Sequence, residues 1–571
     1  MSAPEDPVGL AGRLAARWAK RIVDRLKRER GDIDALNVFP VPDGDTGSNM
    51  YHTVRSAYRA VERISGPATL DEVVEAMANG ALRGARGNSG LILAVALRGV
   101  ADGLEGVTVL EPPVFADALG LAAARARDAI ADPVDGTMLT VLEAMAEEAR
   151  ETAAAGADIL EQITAVRERS REALRETTGQ LAVLSDAGVV DAGSTGIVEL
   201  FDLLYLTVTG AQVPEHGPAF DGASPGSPAE GTAVEAAGPE RSPIAQGSPI
   251  PQGSATAPGA GKAEAPRGGD PHRAAADHHH GTGEDGLELV LHLSEAKDRT
   301  RTVKRVLAKA RGTSVVVAWP MVHVHVAGEP EARVVLDGLE KYGIADLRIE
   351  DLSESGGTDA LTQPVALGRG TGYLFTCARL GAHAVDVGRT AWEDVLAEIV
   401  DEAEAPVVVL PESDRTAHAV RARHGEAVSV LPEDGFSPVA VLAALAVYDP
   451  EAEPAAACED VAEAAAEVRV AVVAPAERAA AGPLMFTRGE LLARVSGTVR
   501  PAGTDPVAAV AHLLDGLLED GGELVTLVTG RAFPGGLEDA IREAVARDHA
   551  AVRLEFVPSG DPHGFLVLGV E

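Results

Sequence analysis

The sequence predicts a multidomain chain with an all-α array of eight helices, a disordered linker and an α/β C-terminal half. Three observations carry this. Residues 1–210 repeat apolar positions at helical spacing between Gly-, Pro- and Asp-rich breaks. Residues 211–285 hold 11 Pro and 13 Gly in 75 positions and almost no core-forming side chains, a composition that cannot offset the entropy of folding. From residue 286 short apolar runs alternate with helical segments, which predicts strands and helices in layers. At 571 residues the chain has room for about three or four domains. The divisions expected are 1–210, 211–285, a middle domain at 286–352 and a C-terminal domain at 353–571.

In the first domain Leu10, Leu14, Trp18, Ile22 and Leu26 line one helix face. Seven more helices are expected at about 49–65, 70–83, 89–103, 113–132, 137–155, 158–178 and 194–209. In the second half LELVLHL (287–293), SVVVAWP (314–320) and VHVHV (322–326) read as strands, and segments 300–310 and 331–343 as helices. Strands at 364–368, 383–388 and 406–411, then 468–475, 523–530 and 552–560, continue the alternation with helices between them.

Composition excludes several function classes. Lys and Arg number 50 against 87 Asp and Glu, a net charge of −37. Such a chain repels nucleic-acid phosphates and anionic lipid. Two cysteines, Cys377 and Cys458, cannot build a disulfide scaffold or a Cys-rich metal domain. The N-terminus lacks the apolar region of a secretory signal, and no apolar run reaches the roughly 20 residues of a spanning helix. The expectation is a cytoplasmic protein with no integral membrane segment. His278-His279-His280 lies in the linker and reads as an incidental tract.

Four turns of the helical domain carry chemistry. They are Asn37 to Asn49 (NVFPVPDGDTGSN), Gly84 to Gly90 (GARGNSG), Asp132 to Thr137 (DPVDGT) and Asp191 to Gly196 (DAGSTG). Each joins an odd helix to the next even one, so an up-and-down array puts all four on one rim. Each also precedes a helix, whose unpaired N–H groups and positive dipole end suit an anion. Asp43 and Asp45, with Asn37 upstream, supply hard oxygen ligands for Mg²⁺. Phosphate cradles facing carboxylates make sense with a cation between them, so the pattern points to a Mg-nucleotide site and phosphoryl transfer.

The segments LNVFPVPDGDTGSNM (36–50), GARGNSGLIL (84–93), DGTMLTVL (135–142) and AGVVDAGSTGIVEL (187–200) resemble the DhaL, or Dak2, nucleotide-binding domain of dihydroxyacetone kinases. The Pro-bearing first segment resembles the YloV-like family of fatty acid kinase subunits. VVVAWPMVHVHV (315–326), GAHAVDVGRTAW (381–392) and PHGFLVLGVE (562–571) resemble that family's α/β half more loosely. The resemblance implies an eight-helix barrel holding ATP and Mg²⁺ at one end, followed by a DegV-like α/β half. It implies that Asp43 and Asp45 are catalytic metal ligands, with Asn37 beside them. Thr46, Gly47, Ser48, Asn49, Gly87, Asn88, Ser89, Gly90, Gly136, Thr137, Asp191 and Gly193 match its nucleotide contacts. Ser194 departs from the pattern, where the family carries a second Gly.

The resemblance also implies a partner, a separate fatty-acid-binding protein that presents the acyl carboxylate for phosphorylation. The expected docking surface lies after residue 286, in the half not committed to ATP; a homodimer is left open. Related chains can hold zinc with a His pair and a cysteine. Here His323 and His325 share a strand face, but the neighbouring strand has no Cys and offers only His292 in its place. Little zinc is therefore expected. The alternative readings are a non-catalytic nucleotide-sensing scaffold and, less well supported, a dihydroxyacetone (glycerone) kinase, for which no domain with a substrate-binding His is recognised.

Overall fold

The computed structural model describes residues 7–214, 286–352, 361–389, 391–403, 405–479 and 485–571. The expected linker therefore lies outside the described residues, apart from 211–214.

The N-terminal part is all helix: α1 (Pro7–Asp34), α2 (Thr46–Glu62), α3 (Leu70–Arg83), α4 (Gly87–Gly103), α5 (Pro112–Ala129), α6 (Met138–Ala154), α7 (Ile159–Gln180), α8 (Ala182–Ala187) and α9 (Ala192–Thr209). Eight are long, as expected; the six-residue α8 is an addition. It forms within the stretch expected to be a turn, where Leu184 is buried and Gly188 ends it in the left-handed conformation. Each long helix packs on the next, and α9 returns to α1, closing a ring. Ala15, Ala19, Ile22, Leu26 and Ile33 form the buried stripe of α1, while Leu10 is exposed. Trp18 Nε1 donates to the Leu200 carbonyl of α9 at 2.9 Å. Fully buried Arg25 joins Glu29 (3.0 Å), Glu199 of α9 (3.4 Å) and the Pro214 carbonyl (2.9 Å). Charges are buried at the ring closure only because they are paired.

The second half is α/β. Its elements are β1 (Leu287–Leu293), α10 (Thr300–Lys309), β2 (Thr313–Ala318), β3 (Met321–Val326), α11 (Glu329–Leu339), β4 (Ile344–Asp351), β5 (Gln363–Gly368), α12 (Thr371–Arg379), β6 (His383–Asp386), α13 (Trp392–Glu402), β7 (Val407–Pro411), α14 (Asp414–His424), β8 (Ser429–Val430) and α15 (Pro438–Ala446). There follow α16 (Pro454–Glu467), β9 (Arg469–Pro475), β10 (Leu491–Val495), β11 (Thr498–Gly503), α17 (Pro506–Leu517), β12 (Leu524–Thr529), α18 (Glu538–Asp548), β13 (Arg553–Pro558) and β14 (Leu566–Val570).

Two sheets result. The first runs β2-β3-β1-β4-β6-β5-β7-β8, and the second β11-β10-β9-β14-β12-β13. Strands β1 to β4 are antiparallel and β5 to β8 parallel. The two sets meet where β4 pairs β6 through only Asp346↔Val385 and Leu347↔Ala384. The first sheet thus continues across the boundary expected at 352/353, and the second sheet belongs to residues 469–570 alone.

Both α/β segments dock on the helices. Val316, Ala318 and Met321 of β2 and β3 enter the helical core itself. Lys304 Nζ donates to the Ile130 carbonyl at 2.9 Å, and Ala131 N–H to the Val315 carbonyl at 3.1 Å. Helix α13 lies against α2 and α3. Arg55 donates to the Glu402 carbonyl (3.3 Å), Arg59 to the Asp401 carbonyl, and Arg63 pairs with the Asp401 carboxylate (2.7 Å). These cations meet the negative end of the α13 dipole.

Candidate functional site

The four turns do converge on one rim. Thr46 Oγ1 of α2 lies 3.5 Å from Ser89 Oγ of α4. A Cβ at Gly196 of α9 would come within 2.4 Å of Met50 of α2, and one at Gly193 within 2.5 Å of Met138 of α6. The N-terminal turns of α2, α4, α6 and α9 are therefore neighbours.

A small cavity opens at the α2–α4 side of this rim. Asn37, Pro40, Val41, Asp43, Asp45, Thr46, Asn49, Gly87, Asn88 and Ser89 line it. Asn37 Nδ2 donates to Asp43 Oδ1 at 2.5 Å and Asn49 Nδ2 to Asp45 Oδ2 at 2.7 Å, so two amides hold the two carboxylates in place. Gly87 has φ +54, and a Cβ there would meet Asn49 Nδ2 at 2.1 Å. Only glycine permits that approach. Asn88 Oδ1 is buried with no hydrogen-bond partner at this cavity.

The remaining expected contacts do not line this cavity. Ser48 is engaged below the rim, its N–H and hydroxyl donating to Asp34 at 3.0 and 2.8 Å. Gly47 is a packing glycine: a Cβ would meet the Arg30 carbonyl of α1 at 2.3 Å. Gly90 likewise faces Thr53 Oγ1 at 2.3 Å. Gly136 (φ +84) makes the turn before Thr137, which precedes α6 and donates to the Val134 carbonyl at 2.8 Å. Asp191 is buried and caps α9, accepting from Ser194 N–H (2.7 Å) and Ser194 Oγ (2.6 Å). The departure at Ser194 thus adds a second bond to the cap. Its hydroxyl is turned inward.

The middle domain supplies what sequence reasoning missed. Glu288 and His325 complete the cavity wall, so the α/β half is committed to this site, contrary to expectation. In the β1–β3 register Glu288 stands opposite His325 and Val290 opposite His323. Residues two apart share a face, so Glu288, His323 and His325 gather with their ligand atoms within 4.8 Å of one another. His323 Nε2 lies 2.5 Å from Glu288 Oε1 and Nδ1 lies 3.3 Å from the Ser314 carbonyl. A carbonyl only accepts, so Nδ1 carries a proton and Nε2 faces the carboxylate. His292, the substitute expected for the missing cysteine, turns instead to Asp346 at 3.0 Å. The strand position to search was Glu288, since two imidazoles and one carboxylate also make a three-ligand set.

Electrostatics point to a cation. Burial, then the charges of Asp43 and Glu288, push the Asp45 carboxyl up to about 8. Burial also raises Asp43. Burial works to raise Glu288, but His323, by charge and hydrogen bond, and His325 hold it below the usual range. Burial and His323 lower His325 to about 4, which keeps it neutral. Three crowded carboxylates beside a neutral imidazole and an orphaned amide oxygen fit a hard divalent ion with phosphate oxygens attached.

Residues 40–205 match the DAK2 domain family, and residues 363–571 the FakA-like C-terminal family of fatty acid kinases. Protein YloV of Bacillus subtilis is 37% identical over 206 residues, covering 36% of this chain and 37% of that protein. An uncharacterized protein of Staphylococcus epidermidis is 34% identical over 210 residues, covering 37% and 38%. The chain thus aligns with little more than a third of the length of the curated relatives it matches. Among solved structures, the dihydroxyacetone kinase of C. freundii in complex with AMP-PNP and Mg²⁺ superposes with a TM-score of 0.26 at 18% identity, covering 36% of this chain and 34% of that one. A DegV family protein of Corynebacterium glutamicum gives 0.28 at 13%, covering 37% and 98%. With a DAK2 domain over its helices and a FakA-like domain at its C-terminal end, the chain belongs to the FakA-like family of fatty acid kinase subunits.

Proposed function

We propose that this chain is the ATP-binding, phosphoryl-transferring component of a fatty acid kinase, working on a fatty acid held by a separate binding protein. The carrying observation is the rim cavity, where Asp43 and Asp45, each held by an amide, face the glycine turn at the start of α4. Mg²⁺ would be held by Asp43 and Asp45 and would neutralise phosphate charge. The Gly87–Asn88–Ser89 backbone at the α4 N-terminus donates to phosphate oxygens, and the hydroxyls of Thr46 and Ser89 stand ready to do the same. Asn37 and Asn49 fix the carboxylate orientations. No covalent nucleophile is required, since positioning and charge neutralisation carry such reactions.

The cavity holds about 20 Å³, room for roughly one water. A triphosphate therefore needs its wall to move, either the Pro40–Val41 loop or the Glu288–His325 face. The described residues include no helix long and apolar enough to cross a membrane. Nor does the rim offer a pocket for a long acyl chain, which supports delivery of the acceptor by another protein.

The test combines the chain, MgATP, a fatty acid and its fatty-acid-binding partner, and traps acyl phosphate with hydroxylamine. Hydroxamate should form only when all four are present. Its absence in the complete mixture, with nucleotide still bound, would favour the sensor-scaffold reading instead.

A further inference from the structure

Beside the nucleotide rim lies a second, larger cavity of about 340 Å³ that phosphoryl transfer leaves unused. Three parts of the chain wall it. The α3–α4 turn brings Arg83 and Arg86, β1 and β4 bring His292 and Arg348, and the β6–α13 region brings His383, Val395 and Ile399. A cavity of that size suits a small metabolite.

Several of its charges are matched internally. Arg83 pairs with Glu398 at 3.2 Å. His292 Nδ1 and His383 Nε2 both meet Asp346 Oδ1, at 3.0 and 2.9 Å. Burial works against charge on His292, but the Asp346 carboxylate outweighs it and keeps the imidazole protonated to higher pH. The other lining charges are two guanidiniums, Arg86 and Arg348, and one carboxylate, Glu402. Glu402 approaches the α3–α4 turn closely, its Oε2 within 3.0 Å of where a Cβ on Gly84 would stand. Glu350 also acts on both arginines, but it is exposed and its field is screened by water.

One cation in excess, inside a chain of net charge −37, favours a monoanion. Leu293, Pro320, Val395 and Ile399 add apolar surface that a bare inorganic ion would leave unused. Planar guanidiniums match carboxylate oxygens in pairs. We propose that this cavity is a second ligand site for a small apolar carboxylate, with its head at Arg348, Arg86 and His292 Nε2 and its body against Val395 and Ile399.

The site has a route to the nucleotide. Arg86 is the N-cap residue of α4, and the next three residues, Gly87, Asn88 and Ser89, line the phosphate cavity. A ligand that engages Arg86 therefore acts on the turn that cradles phosphate, which couples the two sites reciprocally.

Calorimetric titration of the full chain with octanoate below its micelle concentration, 1-octanol and inorganic phosphate tests the proposal. Octanoate should bind once per chain, while octanol and phosphate give no heat at equal concentration. Arg348→Met should weaken octanoate by about tenfold or more, the loss of one charge-assisted hydrogen bond. Val395→Trp should block it by filling the cavity. Neither residue lines the phosphate cavity, so retained nucleotide binding and melting transitions report that each variant is folded. Absence of octanoate binding, equal binding of octanol, phosphate binding in its place, or octanoate affinity unchanged in both folded variants would overturn it.

Discussion

Asp45 should give up a proton when a divalent cation binds. Burial first, then the neighbouring charges of Asp43 and Glu288, hold its carboxyl at about 8, and the Asn49 amide offsets this only in part. At pH 7 the cation-free site therefore holds about ten protonated carboxyls for each ionised one. A cation needs the ionised form. Apparent affinity should rise about tenfold per pH unit between 6 and 8 and level off above that. Stability follows with the opposite sign. Folding raises this pKa, so the group's contribution is complete below about pH 4 and is lost as pH climbs through about 8. The melting temperature of metal-free protein should fall between pH 6 and 9, saturating Mg²⁺ should restore it, and Asp45→Asn should flatten the slope. Calorimetric titration with Mg²⁺ at pH 6, 7, 8 and 9, in two buffers of different ionisation heat, counts the protons released. An affinity independent of pH, with no proton release, would refute the reasoning.

Asp43→Asn should lower partner-dependent acyl phosphate formation by about a hundredfold or more while leaving the melting transition nearly unchanged, because it removes charge at the cavity and preserves shape. Elemental analysis of dialysed, untagged protein should find about one zinc per chain, lost in Glu288→Ala and in His323→Ala, because the carboxylate supplies the third ligand; metal-free protein after zinc loading would reduce the cluster to a hydrogen-bonded pair. Arg25→Met should destabilise the helical domain by about 3–5 kcal/mol in denaturant unfolding, since it strands the buried carboxylates of Glu29 and Glu199. Ser194→Gly should cost about 1–2 kcal/mol through the lost bond to Asp191, with nucleotide affinity within about twofold of wild type.

Much of the helical domain was legible because its breaks are written in glycine, proline and aspartate. The rim followed from connection order alone. What sequence blurred was the division of labour inside each motif. Gly47, Gly90 and Gly193 read as phosphate-facing, yet each is small because another helix packs on it. Ser48 reads as a cradle hydroxyl, yet Asp34 at the end of α1 claims it. Both outcomes depend on interhelical distances that no local pattern records. The metal cluster was missed differently. Its two histidines were visible on VHVHV, but Glu288 counts as a ligand only once the β1–β3 register is known, and that register is a long-range fact. The weld of Val316, Ala318 and Met321 into the helical core was equally invisible, since an apolar strand looks the same whichever layer covers it.

That weld explains why a polar seam can exist here. One face of the middle sheet carries Glu288, His323 and His325 from β1 and β3, and Asp346 and Arg348 from β4. Such a face cannot rest on an apolar layer without leaving its groups unpaired. It lies instead along the helix N-termini, where unpaired N–H groups and the Asp43–Asp45 carboxylates are already polar and need partners. Association of two polar surfaces gains little by itself, because each exchanges water for an equivalent bond. The apolar side chains of β2 and β3, buried in the helical core next to the seam, supply the driving force. The seam can then stay chemically rich without holding the domains together. For that reason a helical domain cut off at residue 210 keeps Asp43 and Asp45 but loses Glu288, His325 and the apolar weld, so its nucleotide site is a different site from the one in the whole chain.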